Sequence, residues 1–303
     1  MRIQVILNPK ADLGRGAQNE AKIKALAQAH GEVDVTLTQH SGHAQELALQ
    51  AAQDGYDVVV AAGGDGTVHE VVNGLYAARA QGIDVALGVI PIGSGNDFAF
   101  ANGLLGDVET AVSRLFTGQP RIIDLARIED DRGHSRVFDN NFGLGFDAVV
   151  VIETQKITRI HGFLMYLLAV LRTLVFYYDR PQVHVTFDDE RVSQNILFLA
   201  MGVGPRGGGG FLLVPDAQND DGLIDSCTVS AIGRLTMLQM IPKTFDGSHV
   251  TSQHVTMRLN ERITIQSEMP MPIHVDGEMF SYPADGVQQV IVTSLPGAMK
   301  VIV

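Results

Sequence analysis

The sequence Gly63-Gly64-Asp65-Gly66-Thr67 stands directly after the apolar run Val58-Val59-Val60-Ala61-Ala62 and ahead of a stretch with helical spacing. A buried strand, a glycine turn and a helix N-terminus in that order make an anion site. Glycines let backbone N–H groups face a phosphate with no Cβ in the way, and the helix dipole favours the negative charge. Thr67 is placed to cap the helix, with Glu70 three positions on as in a capping box. A turn that is merely well capped is the alternative. Asp65 inside a phosphate loop makes chemical sense if a divalent cation accompanies the phosphates. A second glycine turn, Pro91-Ile92-Gly93-Ser94-Gly95-Asn96-Asp97, follows the next apolar run, while Asn8-Pro9-Lys10 and Thr38 follow the first two strands. If those strands are parallel, all four loops fall on one carboxyl edge, where open α/β sheets bind ligands. The chain has no Gly-Lys-Ser/Thr, so this is not a Walker A site.

Three further motifs stay open on their residues alone. Asp276-Gly277 ahead of Glu278 reads equally as a hairpin turn. Asp220-Asp221-Gly222 reads first as an ordinary turn. Gly143-Leu144-Gly145-Phe146-Asp147-Ala148 fits a dinucleotide fingerprint in spelling, but no strand–helix–strand crossover surrounds it, so a structural role is expected.

The elements that must position these residues change character near Ile122. Before it, the strands Ile3–Leu7, Val33–Thr38, Val58–Ala62 and Val85–Pro91 alternate with helical stretches, which predicts a mostly parallel sheet covered on both faces. After it, short alternating runs dominate, interrupted by one long helix from Asp147 to about Tyr178 and a shorter one at Leu235–Thr244. The fold class predicted is therefore α/β plus β: an N-terminal mostly parallel α/β sheet domain with phosphate-binding glycine loops, and a second, antiparallel β-sandwich-like domain. The boundaries expected are 1–122, with 295–303 returning to it across a break at Thr293-Ser294-Leu295-Pro296-Gly297, and 123–294.

Length and composition agree with two domains. The 303 residues carry 22 basic and 34 acidic side chains, a net charge of −12, which argues against a nucleic-acid partner. A lone cysteine, Cys227, forms no internal bridge, excludes a cysteine zinc cage and fits a reducing cytoplasm. The start of the chain reads as a strand rather than a signal peptide. The most apolar stretch, Phe163 to Tyr178, is interrupted by Arg172 and is shorter than the roughly 20 residues that span a bilayer.

Taken together, the motifs resemble the diacylglycerol kinase catalytic family, in particular the bacterial soluble lipid kinases. The resemblance rests on Gly63-Gly64-Asp65-Gly66-Thr67 with Glu70-Val71-Val72-Asn73-Gly74, then Pro91-Ile92-Gly93-Ser94-Gly95-Asn96-Asp97-Phe98-Ala99. It continues with Pro215-Asp216-Ala217, Asp220-Asp221-Gly222-Leu223 and Val275-Asp276-Gly277-Glu278. It implies ATP-dependent transfer of the γ-phosphoryl group to a lipid hydroxyl, with diacylglycerol the default acceptor and phosphatidic acid the product. By position it implies nucleotide contacts at Asn8, Thr38, Gly64, Asp65, Gly66, Thr67, Val68, His69, Glu70 and Ser94. It also implies a general base at Glu278 and a Mg²⁺ site at Gln218, Asp221 and the Leu223 carbonyl. Asp65 and Asp97 are candidates to organise the second Mg²⁺ that accompanies ATP. Ala11-Asp12 departs from the Ser-Gly usual there, with Gly14 and Gly16 coming slightly late.

A lipid substrate at a membrane surface calls for an apolar segment with basic charge. Between Gln155 and Arg180 the chain has Lys156, Arg159, Arg172 and Arg180 against Asp179, a local excess of positive charge on an acidic chain. A helix buried against the second domain's sheet accounts for the same residues, and one face could serve each role. The location expected is cytoplasmic with transient peripheral membrane contact, and the oligomeric state stays open, a homodimer included. The alternatives are a kinase for a sphingoid base, monoacylglycerol or phosphatidylglycerol, an NAD kinase, and a non-catalytic protein that binds nucleotide or lipid.

Overall fold

The computed structural model describes residues 1–28, 30–157, 160 and 162–303, with the backbone alone at Asp12 and Leu13. Arg159, counted above among the basic charges, lies outside the described residues. The chain divides into two compact units, Met1–Ile123 with Gly297–Val303, and Asp124–Pro296.

The first unit contains β1 (Ile3–Leu7), α1 (Ala11–Gly14), α2 (Asn19–Ala27), β2 (Val33–Leu37) and α3 (His43–Gln53). It continues through β3 (Val58–Gly63), α4 (Asp65–Arg79), β4 (Ala86–Pro91), α5 (Asp97–Ala101) and α6 (Val108–Thr117). The strands pair in parallel in the order β2-β1-β3-β4. The chain's last strand joins that edge, with Val301 parallel to Leu87. Alternation sends Ile3, Val5, Leu7, Val58 and Val60 to one face, where they pack with Ile23 of α2 and Val112 and Leu115 of α6. Ile6, Val59 and Ala61 are equally buried on the other face, which α3 and α4 cover. Burial on both faces explains why β3 has no polar residue.

β5 (Pro120–Asp130) leads into the second unit and β15 (Gln289–Ile302) leads out. Between them come β6 (Ser135–Phe138), β7 (Asn141–Gly145), α7 (Phe146–Thr154), α8 (Gly162–Phe176), β8 (Gln182–Phe187) and β9 (Glu190–Gly202). Then follow β10 (Ile224–Ser230), α9 (Arg234–Met240), β11 (Val255–Asn260), β12 (Arg262–Ser267), β13 (Ile273–Val275) and β14 (Glu278–Ser281). The pairings of β7 through β14 are antiparallel. Long β9 belongs to two sheets: its first half pairs with β8, and its second half lies between β7 and β10. Leu199 and Met201 of β9 join Phe142, Val185, Ile263 and Ile273 in the core between the sheets. Leu197 and Ala200 face the opposite way, against Phe146 and Val150 of α7, Val170 and Leu174 of α8, and Met237 of α9. The sandwich thus carries a third, helical layer.

Two expectations are corrected. The long helix from Asp147 to Tyr178 is two helices, α7 and α8; Gly162, at φ +65°, starts the second in a conformation that a continuing helix cannot contain. The break expected at 293–297 is absent, since β15 runs through it. Its ladder with β12 ends at Thr293, it also pairs with β5, and Val301 pairs with β4. The strand changes partners around Pro296 and Gly297 (φ +60°) instead of turning. β11, with weak alternation, was not foreseen.

Gly74 sits inside α4 where that helix crosses α3, and a Cβ there would lie 2.4 Å from the Gln45 carbonyl oxygen and 2.8 Å from the Ala48 Cβ. Gly to Ala inside a helix ordinarily stabilises by about 1 kcal/mol. Here the sign reverses: Gly74→Ala is expected to lower the melting temperature, measured by circular dichroism, and a rise would contradict the close crossing.

Candidate active site

In the first unit the loops after β3 and β4 touch backbone to backbone. A Cβ on Gly93 would lie 2.3 Å from the Gly64 Cα, and one on Gly63 would lie 2.3 Å from the Thr67 hydroxyl oxygen. The Asp65 carboxylate accepts the Phe98 N–H at 3.1 Å, linking the start of α4 to α5. Asn96 closes the second turn: its side chain bonds the Gly93 N–H and carbonyl at 3.0 and 2.9 Å, and its backbone is left-handed at φ +53°. Gly64 and Gly66 occupy positions whose amides the helix's own ladder does not reach, so their N–H groups suit an anion. Ser94 is exposed on the second turn. Asn8 Nδ2 donates to the Thr67 hydroxyl at 3.2 Å, which brings the first loop to the same edge. Thr38, whose N–H donates to the Leu7 carbonyl at 2.9 Å, ends β2 beside it.

The unusual first loop has a definite shape. The Asn8 side chain accepts the Lys10 N–H at 2.9 Å, and Ala11–Gly14 then form one helical turn that ends on Gly14 at φ +87°. A Cβ on Gly16 would lie 2.3 Å from the Asn8 carbonyl oxygen. The two late glycines therefore let the chain double back against Asn8.

The capping box at Thr67 and Glu70 is not formed. The helix begins two residues earlier, at Asp65, with Gly64 as its N-cap. Glu70 instead reaches α3, whose Gly42 and Ala44 N–H groups it accepts at 2.7 and 3.0 Å. It satisfies two amides at that helix's start and places negative charge at the positive end of its dipole. Thr67, Val68 and His69 are buried, so the stretch's exposed contribution lies in its glycine backbone. Asp97 is buried as well.

In the second unit, Asp276 and Gly277 have φ +49° and +78° and connect β13 to β14 as a two-residue hairpin turn. Glu278 is the first residue of β14, paired with Val275, and is exposed. The hairpin turn that the sequence allowed at Asp276-Gly277 is formed, with Glu278 directly after it. The buried Asp276 carboxylate accepts the N–H groups of Asp139, Asn140 and Asn141 at 3.0, 3.1 and 2.8 Å, which fixes the turn to the loop before β7.

The Asp220–Leu223 segment forms a tight turn with Gly222 at φ +81°. Asp221 accepts the Leu223 N–H at 2.9 Å, and Asp124 accepts the Gly222 N–H at 2.6 Å. Gln218 and Asp221 are exposed beside it. Burial pushes the nearby Asp225 carboxyl up to about 6, with the charges of Asp221 and Asp216 adding to the effect. Carboxylates crowded this way fit a hard divalent cation, which relieves their repulsion. Sequence reasoning missed Asp225 because it lies inside β10, where its alternation looks like that of any strand.

α8 buries Ala169, Val170, Thr173 and Leu174 and exposes Leu164, Leu171, Val175 and Phe176, the last at 67%. Leu235 (70% exposed), Leu238 and Phe245, in and after α9, extend the exposed apolar surface in this unit. They were missed because scattered leucines leave no continuous apolar run. Among the described residues no helix is long and apolar enough to cross a membrane.

The raised Asp225 gives a signed expectation. Folded protein holds that proton more tightly than unfolded chain does, so the contribution is full below about pH 4 and lost as pH rises through the folded value. Asp225→Asn should raise the melting temperature at about pH 7.5 and leave it unchanged at about pH 4. Millimolar Mg²⁺ should stabilise wild type at the higher pH only. Equal shifts at both pH values would refute the crowded-carboxylate account.

Comparison with known proteins agrees with this arrangement. Residues 2–128 match the diacylglycerol kinase catalytic domain, and residues 141–303 match the YegS C-terminal NAD kinase beta sandwich-like domain. A diacylglycerol kinase of Mycobacterium tuberculosis is 30% identical over 99% of this chain and 94% of its own. One of Bacillus subtilis is 28% identical over 91% and 89%. A protein of Xanthomonas campestris pv. campestris named as a YegS-like lipid kinase is 30% identical over 88% and 87%. A crystal structure from Bacillus anthracis str. Sterne shares the fold, with a TM-score of 0.79 at 23% identity over 99% of this chain and 96% of that one. The two glycine loops and the turn that carries Glu278 therefore belong to a member of the diacylglycerol kinase and YegS-like lipid kinase family.

Proposed function

We propose that the protein transfers the γ-phosphoryl group of ATP to the hydroxyl of a membrane lipid, with diacylglycerol as acceptor and phosphatidic acid as product. The observation that carries this reading is the interlock of Gly64 with Gly93 at the carboxyl edge of one parallel sheet. It supports a phosphate site built from backbone N–H groups of Gly64 and Gly66, flanked by Asn8, Thr38, Asp65, Thr67 and Ser94. Glu70 takes part by holding the start of α3, and Val68 and His69 by packing α4. Phosphoryl transfer asks for positioning and charge stabilisation more than covalent help from the protein.

Glu278 removes the proton from the acceptor hydroxyl as its oxygen bonds to phosphorus and the bond to ADP breaks. Its exposure on β14 supports that role, since the base must reach the hydroxyl within hydrogen-bond distance. Gln218, Asp221 and the Leu223 carbonyl would hold a Mg²⁺ with a structural role, and Asp225 beside them supports a cation there. A Mg²⁺ accompanying ATP would neutralise phosphate charge. The exposed apolar residues of α8 and α9 support a cytoplasmic protein that meets the membrane transiently.

Radiolabelled phosphate transfer from Mg·ATP onto diacylglycerol, monoacylglycerol, a sphingoid base and phosphatidylglycerol in mixed micelles tests the reading, with NAD as a water-soluble acceptor. Wild type is expected to label diacylglycerol and to leave NAD unlabelled. Glu278→Gln should slow transfer at least about 100-fold while ATP still binds. Labelling of another lipid would reassign the acceptor. Labelling of none, with ATP bound, would leave a nucleotide-binding protein instead.

A further inference from the structure

We propose that Tyr166, Asp147 and His274 form a positioning relay that ties helix α8 to the turn presenting Glu278. The proposal rests on the reading of Glu278 as the base. His274, in β13, is buried beneath the turn, where its Nδ1 accepts the Gly277 N–H at 3.4 Å. An accepting Nδ1 leaves the proton on Nε2, which donates to Asp147 Oδ2 at 3.0 Å. The other oxygen, Oδ1, accepts the Tyr166 hydroxyl at 3.0 Å. Three side chains from β13, α7 and α8 are thus joined in one line that ends on the amide next to Glu278.

Two observations distinguish this line from ordinary packing. A buried carboxylate is costly to desolvate, and apolar residues would fill the same space at less cost. The strand opposite is also built around it: a Cβ on Gly143 would lie 2.1 Å from Asp147 Oδ2 and 2.2 Å from His274 Nε2. The dinucleotide-like spelling at Gly143–Asp147 therefore serves this relay. Pairing between β13 and β14 slips by one residue at His274, with Phe280 as the extra residue, and bulges of that kind re-aim neighbouring side chains.

The far end faces the exposed helix. The Tyr166 ring packs on Phe211 with centroids 5.2 Å apart, and Phe211 lies 5.6 Å from Phe163, which is partly exposed on α8. A shift of α8 on meeting an apolar acceptor would move the Tyr166 hydroxyl, and through Asp147 and His274 the turn. At 3.4 Å the Gly277 bond is the longest in the line, so the turn can tighten when α8 settles.

Tyr166→Phe keeps the ring and removes only the hydroxyl, while His274→Gln breaks the line at its other end. Each is expected to lower kcat for lipid about tenfold while leaving KM for ATP unchanged. The double variant should be no slower than the slower single variant, because both act through one line. Amide hydrogen exchange gives a readout independent of activity: Gly277 and Glu278 should exchange about tenfold faster in Tyr166→Phe, with β8 and β12 unchanged. Unaltered exchange at the turn, or kcat losses that multiply in the double variant, would overturn the relay. Absence of lipid transfer by wild type would overturn the proposed reaction instead, and exchange in Tyr166→Phe alone would then decide the relay. If His274→Gln fails to fold, Tyr166→Phe carries both measurements.

Discussion

The contact of Gly64 with Gly93 is the constraint on which the carboxyl edge of the first unit's sheet depends. Neither backbone can withdraw, because each belongs to a loop that leaves a buried parallel strand, β3 or β4, in fixed register. No side chain fits between them. The bond from Phe98 to Asp65 ties the two loops together from outside the contact, and Asn96 keeps the second turn closed. Glycine here does more than tolerate a tight turn; it lets two strand ends share one surface of backbone. A phosphate lying on that surface would meet dipoles already oriented, so little reorganisation is needed when charge develops.

The second unit solves a related problem with charge instead of absent side chains. A two-residue hairpin has few contacts of its own to hold it in place. Asp276 anchors the turn by taking three amides from the loop before β7. Hydrogen bonds to a charged group contribute about 1.5–3 kcal/mol each, enough together to offset the several kcal/mol of burying one carboxylate. Alanine could not accept those amides, and the left-handed backbone of Asp276 is one that Asp adopts more readily than most residues. The Asp-Gly pair therefore forms the turn and fastens it with the same side chain.

Much of this was legible from the sequence wherever the determinants are local. The strand–glycine–helix run at Val58–Thr67 announces a parallel strand, a glycine turn and a helix start. The alternation after Ile122 announces antiparallel sheets. What escaped depends on partners distant in the chain. Glu70 looked like a cap for its own helix because the amides it takes, at Gly42 and Ala44, lie 28 and 26 positions earlier. β15 looked broken because Pro296 and Gly297 resemble a turn, whereas pairing with strands far away in the chain, β12, β5 and β4, runs along it. Asp147 hid inside a misleading motif, since its meaning rests on His274, 127 residues away.

The helical layer of the second unit bears on how such a protein would meet a lipid. Fifteen residues make α8 about 22 Å long at the helical rise, short of the roughly 30 Å hydrocarbon core. Its buried stripe already packs on the sheet, so its outward stripe of Leu164, Leu171 and Val175 could engage a membrane only edgewise. The charge argument from sequence changes here, because Lys156 and Arg172 are both paired with the buried Glu153. Glu153 answers one of their two positive charges within the unit. Attraction to anionic lipid would then fall to exposed Arg180 and to exposed Arg234 and Lys243, the latter two close in the chain to Leu235, Leu238 and Phe245. On this account Arg172 braces α8 against Glu153 of α7, while Arg180, α9 and the segment after α9 supply the charge that would draw the surface to lipid.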